Sequence, residues 1–251
     1  MGYADLHIHT TASHDGTATV AATLAHVASK TKLDIIAITD HDAIDGALEA
    51  AALGPRYGLS VIPGIEISTA EGHLLALWVT RLIPAHLSLC DTLALIAEQG
   101  GLAIAPHPGG HWSGCLSAEC IRGALAEPGL ARVLVGGEEF NASLPWLPTN
   151  RLGRHIVHVN RLAPVANSDA HMLWMIGLGQ TAFAGSTQGE LRHALETGET
   201  FPVIAGRPWY YGASFVHRQA LRTLGWAQSA APQRDASIRL CRLSAARSTT
   251  S

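Results

Sequence analysis

Apolar runs of strand length alternate with stretches of helix length along this chain, and the strand-like runs end on histidine and carboxylate. The runs are Ala4–His9, Ile35–Asp40, Val61–Ile67, His73–Val79, Leu102–His107, Val133–Phe140 and Pro164–Ser168. Between most of them lie helix-length stretches: Thr19–Thr31, Ala43–Leu53, Leu87–Gln99, Ala118–Ala126 and Leu147–Leu162. Gly54-Pro55 and Gly100-Gly101 supply the expected helix-ending punctuation. Such alternation predicts an α/β fold with a mainly parallel sheet. The near-continuous apolar character of Ile35–Ile38 and Leu102–Ala105 suits a sheet buried on both faces. Residues that handle ligands collect at the carboxyl ends of strands in such sheets. Here they come from nearly every strand, which favours a ring over a line and therefore a barrel over an open sheet. A strand-like Gln180–Ala184 and a helix Gln188–Thr197 continue the same domain, read as residues 1–227, and residues 228–251 read as a weakly ordered tail.

Composition narrows the function classes. A chain of 251 residues, 47% hydrophobic and 15% charged, can bury a large core. Its net charge of −3 argues against general binding of duplex nucleic acid. No apolar run approaches the roughly 18 residues of a spanning helix, and the first strand begins too early to leave room for a secretory leader. The expectation is a cytoplasmic protein with no membrane partner. Cys90, Cys115, Cys120 and Cys241 follow no zinc-ribbon spacing and are expected to be thiols.

The strand ends carry the chemistry. His7 and His9 stand two apart, so on a strand both imidazoles face one side and one metal can hold both. Asp5 faces the same way and is expected to orient a ligand histidine. In the loop Ser13-His14-Asp15-Gly16 either His14 or Asp15 reaches the metal, with Asp15 preferred. His41 is chosen over its neighbour Asp40, because adjacent strand residues face opposite ways, and Asp40 is expected to support from behind. Asp42 and Asp45 suit the first turn of a helix. Glu66 is a carboxylate inside an apolar strand, a costly burial unless cations are near, and is expected to bridge two metals. His73 opens the next strand, and His107 is fixed between two prolines. Asp169 and His171 repeat the two-residue spacing of the first strand. Among other polar residues, His14, His111, Asn141 and Arg161 are weak candidates for touching substrate, and Glu139 for lining its pocket.

These motifs resemble the PHP family, named for polymerase and histidinol phosphatase. Asp-Leu-His-Ile-His-Thr at 5–10, Ser-His-Asp-Gly at 13–16, Ile-Thr-Asp-His-Asp at 38–42, Gly-Ile-Glu at 64–66, Ala-Pro-His-Pro at 105–108 and Ser-Asp-Ala-His at 168–171 occur in family order. The resemblance implies a distorted (β/α)7 barrel with two or three divalent ions (Zn, Mn or Fe) at the carboxyl ends of the strands. It implies one ion on His7, His9, Glu66 and Asp169, a second on Glu66, His107 and His73, and a third on Asp15, His41 and His171. The chain looks most like the stand-alone, TrpH-like metal-dependent phosphoesterases. The implied activity is hydrolysis of a phosphomonoester or phosphodiester by a metal-bridging hydroxide, with Glu66 and His171 serving the reaction. The implied substrates are small phosphorylated molecules such as a nucleotide or a short RNA 5′ end. The alternatives are a histidinol-phosphatase-like phosphomonoesterase and a metal-stabilised regulatory domain without catalysis. An amidohydrolase-type barrel is disfavoured, because neither lysine of the chain, Lys30 or Lys32, ends a strand.

Overall fold

A computed structural model describes residues 1–110, 114–144 and 147–206, together with Val216 and Ala220. The chain divides into two compact units, Met1–Gly212 and Ala213–Ser251. In the second unit the described Val216 and Ala220 are exposed. The residues read as a tail, 228–251, lie outside the described set.

The first unit is an α/β fold whose strands form a nearly closed barrel. Its strands are β1 (Gly2–Asp5), β2 (Ile35–Ile38), β3 (Ser60–Ser68), β4 (His73–Leu77), β5 (Leu102–Ala105), β6 (Leu134–Asn141), β7 (Ala163–Asn167), β8 (Gly179–Phe183) and β9 (Thr200–Ile204). The order across the sheet is β7-β6-β5-β4-β3-β2-β1-β8-β9. Its helices are α1 (Val20–Lys30), α2 (Asp45–Leu53), α3 (Leu89–Glu98), α4 (Ala118–Leu125), α5 (Pro128–Ala131), α6 (Leu147–Val159) and α7 (Gln188–Thr197). Side-chain oxygens cap several of them: Thr19 accepts from Ala22, Ser88 from Asp91 and Ser117 from Cys120.

The strand pairing departs from strict βα alternation in three places. β3 and β4 form a hairpin closed at Thr69–Gly72 with no helix between them, so β4 runs antiparallel to both neighbours. β8 pairs antiparallel with β1, and β9 antiparallel with β8. β9 was unforeseen because Pro202 interrupts its apolar run, a residue tolerated at a sheet edge.

Hydroxyl groups cross the remaining seam. Thr181 of β8 accepts from the Ala166 amide (3.1 Å) and donates to the Ala166 carbonyl (3.0 Å), and Thr200 of β9 donates to the Pro164 carbonyl (2.8 Å). Beyond β7, Ala170 bridges Ile8 in parallel, with the His9 amide donating to the Ala170 carbonyl at 2.9 Å. That bridge brings the two His/Asp strand ends side by side. Alternate strand residues fill the core, among them Ala4, Leu6, Ile35, Ala37, Leu75, Leu77, Ala163 and Val165. Leu191, Ala194 and Leu195 of α7 join the same core with Phe183.

Candidate metal centre

Glu66 is the hub of the carboxyl-end cluster. Its position in β3 is tied to the end of β2, where the Glu66 amide donates to the Asp40 carbonyl (3.2 Å) and the Asp42 amide to the Glu66 carbonyl (2.9 Å). Five imidazoles surround its carboxylate. Oε2 lies 3.0 Å from His7 Nε2, 3.2 Å from His9 Nε2 and 3.3 Å from His41 Nε2. Oε1 lies 3.0 Å from His73 Nδ1 and 3.3 Å from His107 Nε2. The two oxygens thus address different sets of nitrogens.

Two further carboxylates complete the set. Asp169 Oδ1 lies 3.4 Å from His7 Nε2, 3.2 Å from His9 Nε2 and 3.5 Å from His171 Nδ1. Its Oδ2 accepts from Ser143 Oγ (2.7 Å) and Asn141 Nδ2 (3.1 Å). Asp15 Oδ2 lies 2.9 Å from His171 Nε2 and 3.4 Å from His41 Nε2, and its Oδ1 accepts from Ser13 Oγ. His9 is stacked between the rings of His41 and His171, with centroids 4.7 and 4.3 Å away.

The residues fit divalent ions. His9 is 2% exposed, and neither of its ring nitrogens makes a hydrogen bond, although carboxylate oxygens lie 3.2 Å from Nε2. A buried imidazole without a hydrogen-bond partner is costly unless its lone pair meets a cation. Three groups place donor atoms within 4.8 Å of one another and could each hold an ion: His9, Asp15, His41 and His171; His7, His9 and Glu66; and His41, Glu66 and His73. Mixed imidazole and carboxylate donors suit divalent ions of the Zn, Mn or Fe type.

The electrostatics point the same way. Burial disfavours charge on His7, but the carboxylates of Asp169, Glu66 and Glu138 outweigh it and raise its pKa. Burial opposes charge on His9 as well, yet Asp169 and Glu66 push it up to about 10. Burial would raise Asp15, but His171 and His41 hold it far below the carboxylate range. Glu66 and Asp169, similarly buried, are held low by the surrounding histidines, His7 foremost.

Backbone geometry is adapted to this face. His107 (φ 32°) and Asp169 (φ 50°) adopt the left-handed region, a conformation that persists where surroundings enforce it. Gly114 lies so near His73 that a Cβ would sit 2.8 Å from its ring.

Several expectations about supporting residues are corrected. Asp5 does not touch a histidine ring. It accepts from the Ser168 amide (3.0 Å) and the Gly177 amide (2.8 Å), fixing the backbone before Asp169, and burial pushes its carboxyl up to about 6. Asp40 supports from behind, but through the backbone: it accepts from the Thr10 amide (2.5 Å) and hydroxyl (2.7 Å). Asp42 binds the Ser68 amide and hydroxyl instead of opening a helix, and Asp45 is the first residue of α2. Asn141 is fully buried, and its Nδ2 donates to Glu138 and Asp169. Glu139 turns to Arg154 and His158 of α6. Arg161 lies at the opposite end of the barrel, lining a cavity of about 350 Å³ with Leu134 and Ala163, where β6 and β7 begin. The helix before it runs back toward the amino ends, so a residue just before β7 had to arrive there. His14 stands at the rim with 77% of its side chain exposed, 3.9 Å from Asp15. His111 lies outside the described residues.

Glu138, Ser143 and Cys115 were not foreseen. Cys115 Sγ lies 3.4 Å from His107 Nδ1. Glu138 obeys the argument already used for Glu66, a carboxylate in an apolar strand. Adjacent Glu139 competed for the inward position, and a register shift between Glu138 and Phe140 breaks the two-residue period that would have separated them.

The PHP domain profile matches residues 5–103 and the PHP-associated profile residues 148–200. An uncharacterized protein of Methanocaldococcus jannaschii is 41% identical over 114 residues, which are 42% of this chain and 67% of that protein. A 5′-3′ exoribonuclease of Salmonella typhimurium is 38% identical over 145 residues, 52% of this chain and 47% of the relative. This chain therefore spans about two thirds of the first relative and about half of the second. Among solved structures, a two-domain Bacteroides vulgatus protein with a PHP-like metal-dependent phosphoesterase aligns with a TM-score of 0.64 at 20% identity, covering 80% of this chain and 64% of that one. Among the described residues no helix is long and apolar enough to cross a membrane. The strand ends, the matched profiles and the identity to the archaeal relative agree: the chain belongs to the PHP family.

Proposed function

We propose that this protein is a metal-dependent phosphoesterase that hydrolyses a phosphomonoester or phosphodiester at the carboxyl end of its barrel. The observation that carries the reading is Glu66, whose two oxygens lie 3.0–3.3 Å from five imidazole nitrogens on four segments. His7, His9, Glu66 and Asp169 hold one divalent ion. Asp15, His41 and His171 hold a second, and His73 and His107 share Glu66 around a third. When bound, the ions activate a water and neutralise charge on the phosphoryl oxygens. The chain's own residues do the rest. Glu66 fixes the spacing of the ligand sets, and the stacked His9 ring is held between His41 and His171. His171 donates from Nδ1 to the Asp169 carbonyl (2.9 Å), which leaves Nε2 directed at Asp15, with which it would hold an ion. Exposed His14 stands at the mouth, where it meets the incoming substrate.

Small phosphorylated substrates, nucleotides or short RNA 5′ ends, are the proposed class. The exoribonuclease relative supports it. The test uses purified full-length protein with Zn, Mn or Fe(II), assayed on a generic phosphodiester, a phosphomonoester, bisphosphorylated nucleotides, 5′-phosphorylated short RNA and an amide. Metal-dependent turnover of at least one phosphate ester and none of the amide is expected. Absence of phosphate-ester turnover with every metal would overturn the reading.

A further inference from the structure

β6 supplies no imidazole or carboxylate to the hub, yet Glu138 of β6 reaches three segments that do. Its carboxylate is 1% exposed and fully engaged. Oε1 lies 2.9 Å from His7 Nδ1 and accepts from Asn167 Nδ2 (3.0 Å). Oε2 accepts from the His107 amide (2.8 Å) and from Asn141 Nδ2 (2.8 Å).

Counting donors fixes the protonation pattern. The His107 amide can only donate. Asn167 Oδ1 already accepts from the Leu6 amide (2.9 Å), so its Nδ2 faces Glu138. Asn141 Oδ1 accepts from the Ser143 amide (2.9 Å), so its Nδ2 faces both Glu138 and Asp169. Each Glu138 oxygen therefore meets at least one obligate donor, the setting of an acceptor-only carboxylate. His7 Nδ1 must then carry a proton and donate it. The other nitrogen, Nε2, is left pointing at Glu66 Oε2 and Asp169 Oδ1 (3.0 and 3.4 Å). A lone pair aimed at two carboxylate oxygens needs a cation between them.

We propose that Glu138 is the positioning residue of the metal centre. It sets His7 as the Nδ1–H tautomer and presents Nε2 to the ion. The same carboxylate pins the backbone of His107 and, through Asn141, the Oδ2 of Asp169. One group that never touches the ion thereby aligns ligands from three segments. Replacement by glutamine cannot reproduce this, because an amide NH2 placed on either side would face two donors. Carboxylates behind metal-bound histidines typically change metal affinity 10- to 100-fold, and an effect of about that size is expected here.

The inference rests on the metal-binding reading, and the experiment separates the two. Zn(II) and Mn(II) affinities of full-length wild-type protein and Glu138→Gln are measured by chelator competition. Histidine-selective 15N NMR is recorded on the Zn(II) forms. The expected result is a His7 ring protonated on Nδ1 in the wild type, loss of that protected N–H signal in Glu138→Gln, and weaker metal binding by about 10- to 100-fold. Wild-type protein that binds neither ion would remove the metal reading and this inference together. Wild-type protein that binds metal, with Glu138→Gln matching it in affinity and His7 signal, would overturn this inference alone. If Glu138→Gln does not fold, the wild-type spectrum decides: a His7 ring protonated on Nε2 overturns the proposal, and one protonated on Nδ1 upholds it.

Discussion

The two ends of the barrel are built on opposite principles. At the carboxyl end the strands finish on buried charge: His7, His9, Glu66, His107, Asp169 and His171 are at most 8% exposed. At the amino end α7 packs Leu191 and Leu195 against Phe183. Its turns there are ordinary: Thr187 and Glu190 form a capping box, and Gly198 ends the helix in the left-handed region with open space where a Cβ would be. Apolar packing holds one end together by itself, whereas the other is a crowd of buried ionisable groups. Buried charge and apolar packing are thus assigned to different ends of the same sheet, a division also seen in parallel barrels.

The largest expected effect breaks the carboxyl end alone. Asp169→Ala should lower phosphate-ester turnover by about 10²- to 10³-fold, the scale of losing transition-state charge stabilisation, supplied here by the ion that Asp169 would hold. Far-ultraviolet circular dichroism should be unchanged. Retained turnover would remove Asp169 from the site and blur the contrast between the ends. Metal removal comes next. At ion concentrations about 1,000 times the dissociation constant, bound metal stabilises the fold by about 4 kcal/mol, so chelation should lower Tm measurably. An unchanged Tm would mean that the charged end holds itself together.

In the metal-free protein the carboxyl end should contribute an alkaline loss of stability that the amino end lacks, while carboxylates at both ends contribute an acid loss. His9 has a folded pKa of about 10 against an ordinary 6.5, so its stabilising contribution is complete below pH 6.5 and is lost as pH rises toward 10. Glu190 accepts from the Ser186 amide and from the Thr187 amide and hydroxyl, which lowers its pKa below the ordinary 4.5. Its contribution is present above 4.5 and is lost as pH falls through the lower folded value. Thermal melts across pH should show the alkaline loss disappear on metal loading, and the acid loss shrink in Glu190→Gln whether or not metal is present. An alkaline slope that survives metal loading would place its origin outside the cluster. The smallest effect is expected from Arg161→Ala at the amino end, with kcat/KM within about twofold and stability within about 0.5 kcal/mol of wild type, as for a surface position. A tenfold loss of kcat/KM would show that the two ends communicate.

Much of the carboxyl end was legible because its residues obey local rules. The spacing of His7 and His9 requires only strand alternation, and Glu66 announces itself as charge in an apolar run. The convergence of these residues follows from strand ends meeting on one face. What escaped depends on contacts far apart in sequence. Alternation alone pointed Asp5 toward the ligands, but its two acceptors are satisfied by amides at 168 and 177. Glu138 and Glu139 cannot be told apart by a two-residue period when a register shift falls between them. The antiparallel β4 follows from a four-residue turn that leaves no room for a helix, and Thr69–Gly72 lies in plain sight in the sequence. Arg161 was misplaced because its charge was weighed without the direction of the helix that precedes it.

The bridge between Ile8 and Ala170 has a consequence for how the protein comes into being. Ser168, next to Asp169, touches the His7 carbonyl across a separation of 161 residues. A ribosome therefore releases the histidines of the first strand long before the carboxylate that completes their set. Until that last segment docks, the emerging polypeptide carries imidazoles and Glu66 in an open, half-built cradle. Contacts of such long range form late in folding. An ion that needs Asp169 could then be held only after that segment docks, and a chain interrupted before residue 169 would be left with an incomplete ligand set.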